Sequence, residues 1–404
     1  MSAAKGITKG KKYMTDFLKE WEGKAEITPA ELAALAAETV CLVDIRDEAA
    51  FARGTVPGAE RVDPLALQRG EHELPEGRLI VCICLWGKIS LGLAANLRQQ
   101  GYVAVSLAGG YARYLPEKLA RETAAAADGE RLARIEASLH KKFKRKITGK
   151  FVETICDYDL VAPGDKIAVC ISGGKDSMLM AKLFQDLKRH NKIPFSLVFL
   201  CMDPGYNEMN RQIIEENARL LHIPLTFFET DIFASVYHVE ESPCYLCAKM
   251  RRGYLYRKAR ALGCNKIALG HHFDDVIETN LMSMLYSGAI RTMMPRVKST
   301  SCPGMELIRP LYRIREADIK RWRDDNGLYF IQCACRFTET CTTCHTDGTT
   351  DSKRLEVKRL IARLAETNPQ VPGNLFHALE NVNLDTVLGY KLHGEAHTFL
   401  EDFS

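Results

Sequence analysis

Between an apolar run of strand length, Lys166–Ile171, and a helical stretch over 175–190 stands Ser172-Gly-Gly-Lys-Asp-Ser177. Two adjacent glycines allow a turn that crowds backbone N–H groups toward one point, and the helix that follows adds the partial positive charge of its N-terminus. Lys175 supplies a full charge, and the hydroxyls of Ser172 and Ser177 supply donors. The spacing is shorter than that of the Walker loop, G-x-x-x-x-G-K-S/T. A bare Gly-Gly pair reads as a tight strand–helix turn. Strand, glycines, lysine and serines together read as an anion cradle in an α/β unit, and in open α/β sheets ligands sit beyond the carboxyl ends of the strands.

The pattern around the loop completes that sheet. Phe195–Met202, Leu225–Glu229 and Lys266–Leu269 are strand candidates, and 207–221, 247–262 and 273–287 are helix candidates, giving a unit over 151–330. Asp203 follows one strand, and Gly270-His-His-Phe-Asp-Asp275 follows another, both at the edge that carries the loop. Asp203, Gly270, His271 and Asp275 are therefore placed to meet a ligand bound at the loop, beside Lys175 and Asp176. Asp274 and Asp275 are placed to hold magnesium against phosphates. Their plainer role is helix N-capping.

A second α/β unit is expected over 25–120. Thr39–Arg46, Arg78–Cys84 and Val103–Leu107 read as strands, and Ser90–Gln100 reads as a helix ended by Gly101. Cys84-Leu-Trp-Gly-Lys-Ile-Ser90 joins strand to helix, so backbone N–H groups should aim at the sulfur and favour its anion. Residues 1–24 form a basic tail with no apolar run behind it, which reads as no signal peptide. Residues 121–150 read as an exposed, basic helical linker ending in His140-Lys-Lys-Phe-Lys-Arg-Lys146. On that segment alone a solvated helix face is the better reading than a phosphate contact. Residues 331–404 read as a cysteine-rich stretch followed by helices at 351–367 and 374–392.

With 46% apolar and 26% charged residues, the 404-residue chain has the composition of a soluble globular protein. No apolar window of about 18 residues exists, so no membrane span and a cytoplasmic location are expected. The net charge of +4 permits an RNA partner without requiring one. Fourteen cysteines in such a chain point to metal or thiol chemistry rather than disulfides. Cys41, Cys156, Cys170 and Cys201 lie in or beside apolar stretches and read as small buried hydrophobes. Others cluster, at Cys244-Tyr-Leu-Cys247 and at Cys333, Cys335, Cys341 and Cys344.

Ser172–Ser177 matches the motif of the PP-loop ATP pyrophosphatases, and the chain resembles that group. The resemblance implies a doubly wound parallel sheet, cleavage of ATP to AMP and pyrophosphate, and adenylation of a substrate oxygen, with Lys175 and Asp176 catalytic and Asp203, Gly270, His271 and Asp275 at the nucleotide. The C-x-x-C pair, Lys249-Met-Arg-Arg-Gly253, Leu269-Gly-His-His-Phe-Asp-Asp275 and Glu278-Thr279 narrow it. So do Ile308-Arg-Pro-Leu311, Arg315-Glu-Ala-Asp-Ile319, Val371-Pro-Gly373 and Ala378-Leu-Glu-Asn-Val382. Together they resemble the tRNA 2-thiocytidine synthetase family. That resemblance implies a 4Fe–4S cluster held by three cysteines, with one iron open to sulfur. Cys244 and Cys247 fall on the paired positions. Cys333 best fits the third, with Cys335 and Cys341 left open. Four thiolates at Cys333, Cys335, Cys341 and Cys344 would also suit a structural zinc.

The N-terminal unit resembles a rhodanese domain, through Val43-Asp-Ile-Arg46, Phe51, Gly54-Thr-Val-Pro-Gly-Ala59 and Leu107-Ala-Gly-Gly-Tyr111. Cys84 falls on its sulfur-carrying position. Ile89 stands where an arginine is usual and Thr55 where a histidine is common, which implies altered carrier activity or donor preference. The combined reading is a tRNA thiolation enzyme with a fused persulfide carrier, using ATP, magnesium and the cluster. Arg251, Arg252 and the 141–146 run would contact tRNA phosphates. An upstream persulfide donor such as a cysteine desulfurase is implied, and a homodimer is left open. The rival readings are thiolation of another base such as uridine, sulfur transfer to a small molecule, and a non-enzymatic iron–sulfur sensor.

Overall fold

The computed structural model describes residues 17–69, 71–125, 129–190, 193–230, 232, 243–331 and 353–403, with backbone alone for 122–125, 243–249 and 402–403. Two parallel sheets organise them. In the first, Leu79–Ile83 (β4) is buried along its whole length, as a central parallel strand covered on both faces must be. Val40–Asp44 (β2) and Ala104–Leu107 (β5) flank it, and Glu26–Ile27 (β1) and Glu60–Arg61 (β3) form the edges. The order is β1-β5-β4-β2-β3, all parallel.

The second sheet is built from Lys166–Ile171 (β6), Ser196–Asp203 (β7), Leu225–Glu229 (β8), Lys266–Ala268 (β9), Arg296–Lys298 (β10) and Glu306–Ile308 (β11). Its order is β10-β11-β9-β6-β7-β8, parallel except for β10 against β11. The chain runs outward from β6 through β7 to β8, then returns to the other side of β6 as β9. The topological switch lies between β6 and β9, where a crevice opens at the carboxyl ends.

The described residues of the segment 121–150 are largely helical, but from 135 on they are not a solvated linker. Ile135, Leu139, Phe143, Ile147, Phe151 and Ile155 are all buried. They recur every fourth residue across the helix Glu130–His140, a π-helical turn Lys144–Thr148 and the helix Gly149–Asp157. Such spacing makes one continuous apolar stripe. Lys141, Lys142, Lys144, Arg145 and Lys146 face outward. Phe151 meets Phe184 edge to face, with ring centroids 5.4 Å apart.

That stripe joins the two sheets. A single buried cluster runs from Ile27, Leu79, Val81 and Val105 through Leu115, Leu119 and Ile135 to Ile167, Val169 and Ile171. The helix Gly110–Ala125 packs on Glu208–Leu220. Lys182, only 2% exposed, is held within this assembly by Glu136 at 2.6 Å and the Leu221 carbonyl at 3.0 Å. Burial lowers its pKa, and the Glu136 hydrogen bond opposes that.

Several expectations are corrected. Residues 374–392 are not one helix: Val371–His377 is helical, and Gly389–Leu392 (β12) pairs with Glu395–Thr398 (β13) as a hairpin. Its turn places His393 at φ 52° and Gly394 at φ 95°, the left-handed values that a two-residue hairpin turn requires. Leu328–Ile331 is largely buried but irregular. Cys170 and Cys201 are buried, and burial pushes both thiols up to about 12. Cys41 is half-buried and Cys156 is exposed, so neither is a core residue. No helix among the described residues is long and apolar enough to cross a membrane.

Ile135 has no exposed surface and sits where the two units meet. Ile135→Ala should lower stability by about 2–5 kcal/mol in urea unfolding, the usual cost of such a cavity. A loss below about 0.5 kcal/mol would place Ile135 outside the shared core.

Candidate active site

The loop after β6 is shaped by what surrounds it. Gly173 sits at φ 81°, and a Cβ there would lie 2.5 Å from the Ile214 side chain and 2.7 Å from that of Ile331. Only glycine fits. The Ser177 hydroxyl accepts from the Ser172 N–H at 3.1 Å and donates to the Gly174 carbonyl at 3.0 Å, which closes the turn. Gly270 brings the second loop against it: a Cβ there would lie 3.2 Å from the Ser177 nitrogen. Thus the loops after β6 and β9 are in contact, beside the N-terminus of the helix Lys175–His190, the kind of place that suits an anion.

Charge at this crevice is organised by Glu316, at the start of the helix Glu316–Asp325. Lys175 Nζ lies 3.1 Å from Glu316 and 3.1 Å from Asp176. Lys358 and Lys320 also reach Glu316, at 2.6 and 3.1 Å. Burial alone would raise the Glu316 pKa, but the Lys358 hydrogen bond and the three lysine charges hold it far below the carboxylate range. Asp274 accepts from Arg315 Nε at 3.2 Å and from the Glu316 N–H at 2.7 Å. Asp275 accepts from the His272 N–H at 3.0 Å and from Arg354 at 2.9 Å. Asp275 and His272 also cap the helix Phe273–Ser287.

All four oxygens of the expected magnesium pair therefore have protein partners, whereas Asp176 Oδ1 is buried with no hydrogen-bond partner among the described residues. His271 Nδ1 is orphaned in the same way. Burial first, then the charge of Arg309, lowers the His271 pKa to about 4, so its ring is neutral near pH 7. Asp203 is turned to structure. Its carboxylate caps the N–H groups of Gly205 and Tyr206 at 2.9 and 2.7 Å and pairs with Arg211 at 3.1 Å.

Cys84 lies just past β4, 5% exposed. Its sulfur accepts from the Ser90 N–H at 3.4 Å and lies 3.1 Å from the Ser90 hydroxyl, which in turn meets Ser106 at 2.8 Å. The helix Lys88–Gln99 starts from Gly87 at φ 80°, so its first turn is aimed at the thiol. Gly110 packs so closely under the loop that a Cβ would lie 2.5 Å from the Cys84 carbonyl. Ile89, in place of the usual arginine, is 70% exposed. Thr55 donates to the buried Asp44 at 2.6 Å, and Asp44 also accepts from Arg46 Nε at 2.9 Å.

Tyr329–Ile331 packs against both units. A Cβ on Gly54 would lie 3.0 Å from the Tyr111 hydroxyl and 3.4 Å from the Tyr329 ring. Tyr111 donates its N–H to the Cys84 carbonyl at 2.9 Å. Two residues on from Tyr329, Ile331 walls the phosphate loop. On the other side of the crevice, a pocket of about 510 Å³ is lined by Lys141, Lys142, Arg145, Lys146, Lys150, Arg313, Arg315 and Asp318. Arg315 belongs both to this pocket and to the Asp274 contact, so the basic surface is continuous with the second loop. Lys142 pairs with Asp325, and Lys146 lies 3.5 Å from Asp318.

Cys244 and Cys247 lie one turn apart on the helix Pro243–Ala261, positions that share a helix face. Their side chains, and all of Cys333, Cys335, Cys341 and Cys344, lie outside the described residues. The donor set of thiols suits an iron–sulfur cluster.

Comparison with known proteins agrees with this geometry. A PP-loop domain model matches residues 139–335, and a rhodanese-like domain model matches 28–117. The tRNA-cytidine(32) 2-sulfurtransferase of Anaeromyxobacter sp. (strain K) is 36% identical over 255 residues, which cover 62% of this chain and 84% of the relative. That of Syntrophotalea carbinolica is 36% identical over 251 residues, covering 61% of this chain and 92% of the relative. The chain belongs to the tRNA-cytidine(32) 2-sulfurtransferase family. Among solved structures, a U34-tRNA thiolase from Methanococcus maripaludis with its 4Fe–4S cluster is similar at 20% identity and TM-score 0.49, covering 62% of this chain and 84% of that one. A rhodanese homolog from the extremely thermophilic bacterium Thermus thermophilus is 38% identical, covering 21% of this chain and 95% of that one, with TM-score 0.19.

The structure brings together Ser172, Gly173, Gly174, Lys175, Asp176, Ser177, Gly270, His271 and Asp275, and sets Cys84 apart in the other unit. It adds residues that sequence reasoning missed. Glu316 was visible only as part of a motif, and Arg354 and Lys358 only as i,i+4 cations on a distant helix. Glu278, behind the second loop, gains a chemistry that its motif did not announce. Burial raises its pKa to about 7, against the pull of Lys358 and Arg354. A raised carboxyl pKa means that the folded state holds the proton more tightly. Its contribution to stability is present below the unfolded value of 4.5 and is lost as pH rises from there through about 7. Nucleotide-free Glu278→Gln protein should therefore lose less stability than wild type between those two pH values. Parallel curves would show that Glu278 titrates normally.

Proposed function

We propose that this chain thiolates a tRNA cytidine with sulfur carried on Cys84, after activating the base with ATP. The observation that carries the reading is the contact between the loops after β6 and β9 at one sheet edge, with Arg315 shared by the second loop and a basic pocket. ATP suits the site because Lys175 and the N-terminus of its helix stand there. Lys175, held near the loop by Asp176 and Glu316, would exchange those partners for phosphate oxygens. Asp176 Oδ1, which has no hydrogen-bond partner among the described residues and lies 4.0 Å from His272 Nε2, is the best-placed protein ligand for magnesium, which would neutralise phosphate charge. The basic pocket takes the tRNA backbone and leaves base choice to closer contacts.

The chemistry follows in order. The base carbonyl oxygen attacks the α-phosphorus, and pyrophosphate leaves. A sulfur nucleophile then attacks the same ring carbon, and AMP departs with the oxygen. Sulfane sulfur on Cys84 becomes a sulfide equivalent only with two electrons, which a thiol reductant supplies while Cys84 returns to its thiol. Ser90 and the first turn of its helix stabilise the sulfur anion at Cys84 throughout. A 4Fe–4S cluster on Cys244, Cys247 and Cys333 would supply an open iron for sulfur. The persulfide itself would come from an upstream donor of the cysteine desulfurase class.

Three outcomes test this. Wild type with tRNA should release AMP and pyrophosphate, and Lys175→Ala should abolish both; ADP and phosphate as products would contradict the adenylation. Cys84→Ser should lose thiolation driven by a persulfide donor yet keep it with excess sulfide. Equal loss with both donors would make Cys84 something other than a carrier. Neutralising Lys141, Lys142, Lys144, Arg145 and Lys146 should weaken tRNA binding and flatten its dependence on salt. An unchanged salt slope would return this run to a solvated surface.

A further inference from the structure

We propose that His140, Asp186 and His190 form a binding site for a divalent transition ion of the zinc class, separate from the cysteine cluster and from the nucleotide crevice. His140 Nε2 lies 3.0 Å from Asp186 Oδ1, and His190 Nε2 lies 3.4 Å from the same oxygen. The three ligand atoms all fall within 4.8 Å of one another. Zinc bonds imidazole nitrogen and carboxylate oxygen at about 2.0–2.2 Å, so neighbouring ligands on a tetrahedral shell stand about 3.3–3.6 Å apart. The two separations from Asp186 are already within a few tenths of an ångström of that. An ordinary ion pair needs one imidazole; here two converge on one carboxylate oxygen from different helices.

The surroundings favour a cation. His140 is the last residue of Glu130–His140, and His190 is the last of Lys175–His190. Both therefore stand at helix C-termini, where the backbone carries partial negative charge. Asp186 is one turn before His190 on the same helix, which presents both on one face. Asp186 is largely covered, whereas His140 and His190 are 45% and 68% exposed, leaving an entry path and room for water as a fourth ligand. Arg189 competes for the carboxylate from 3.7 Å. It is drawn away by two hydrogen bonds to Glu136, at 3.0 and 3.2 Å. On loading, each Nε2 gives its lone pair to the ion in place of a proton, and Asp186 Oδ1 exchanges two imidazole contacts for the metal. The ion would clamp the far end of the helix that begins at Lys175 to the residue just before the basic run at Lys141.

Zinc titration of the full-length holoprotein, followed by X-ray absorption at the zinc edge, tests the site without interference from iron. Wild type should bind one zinc per chain with a nitrogen and oxygen shell at about 2.0–2.1 Å, distinct from the roughly 2.3 Å of thiolate sulfur. His140→Ala and His190→Ala should each weaken that binding by at least about tenfold, since loss of an outer-shell partner alone costs that much. Asp186→Asn, which keeps the shape and removes the charge, should do the same. Zinc bound to the cysteines would survive all three variants. A shell of sulfur alone, or affinities unchanged in the variants, means an adventitious ion only and overturns the proposal.

Discussion

Gly173 has no room for a side chain, and much of the molecule follows from that. Ile214 and Ile331 close on it from two different parts of the chain. Ile214 belongs to a helix that packs against Gly110–Ala125 of the carrier unit. Ile331 ends a segment whose Tyr329 touches Gly54 of the same unit. The phosphate loop is therefore walled by the same residues that fasten the carrier in place. A rhodanese-like domain on a flexible tether would raise local concentration only. One that shares a core with the second sheet is also held in place against it.

The second constraint is electrostatic. The cations and carboxylates of the crevice satisfy one another: Lys175 with Glu316 and Asp176, Arg315 with Asp274, and Arg354 with Asp275. Buried charges must be paired, because an unpaired one costs several kcal/mol. Binding a triphosphate thus means exchanging partners rather than filling an inert hole. Asp176 Oδ1 and His271 Nδ1 are buried without hydrogen-bond partners among the described residues.

Much of this was legible in the sequence, because strands, turn glycines and the loop motif are local signals. The boundaries of β6, β7 and β8 fall within a residue of their apolar runs. The basic linker was misjudged because its charges hide a stripe recurring every fourth residue, from Ile135 to Ile155. Only packing shows that the stripe has something to cover. The C-terminal hairpin was missed for the opposite reason: its strands are four residues each and mostly exposed, so no buried alternation announces them. Glu316 could not be singled out, since its importance comes from lysines contributed by separate stretches of chain. The orphaned atoms at Asp176 and His271 likewise depend on three-dimensional exclusion of water.

Everything turns on sulfur passing from Cys84 to a base that ATP has activated. A single-turnover chase measures this directly: protein carrying labelled persulfide at Cys84 is mixed with tRNA, ATP and a thiol reductant, and the nucleosides are separated. Label should appear in 2-thiocytidine, with one AMP formed for each sulfur transferred and no transfer when ATP is omitted. Label that stays on the protein while AMP accumulates, or that reaches tRNA without ATP, would contradict this transfer.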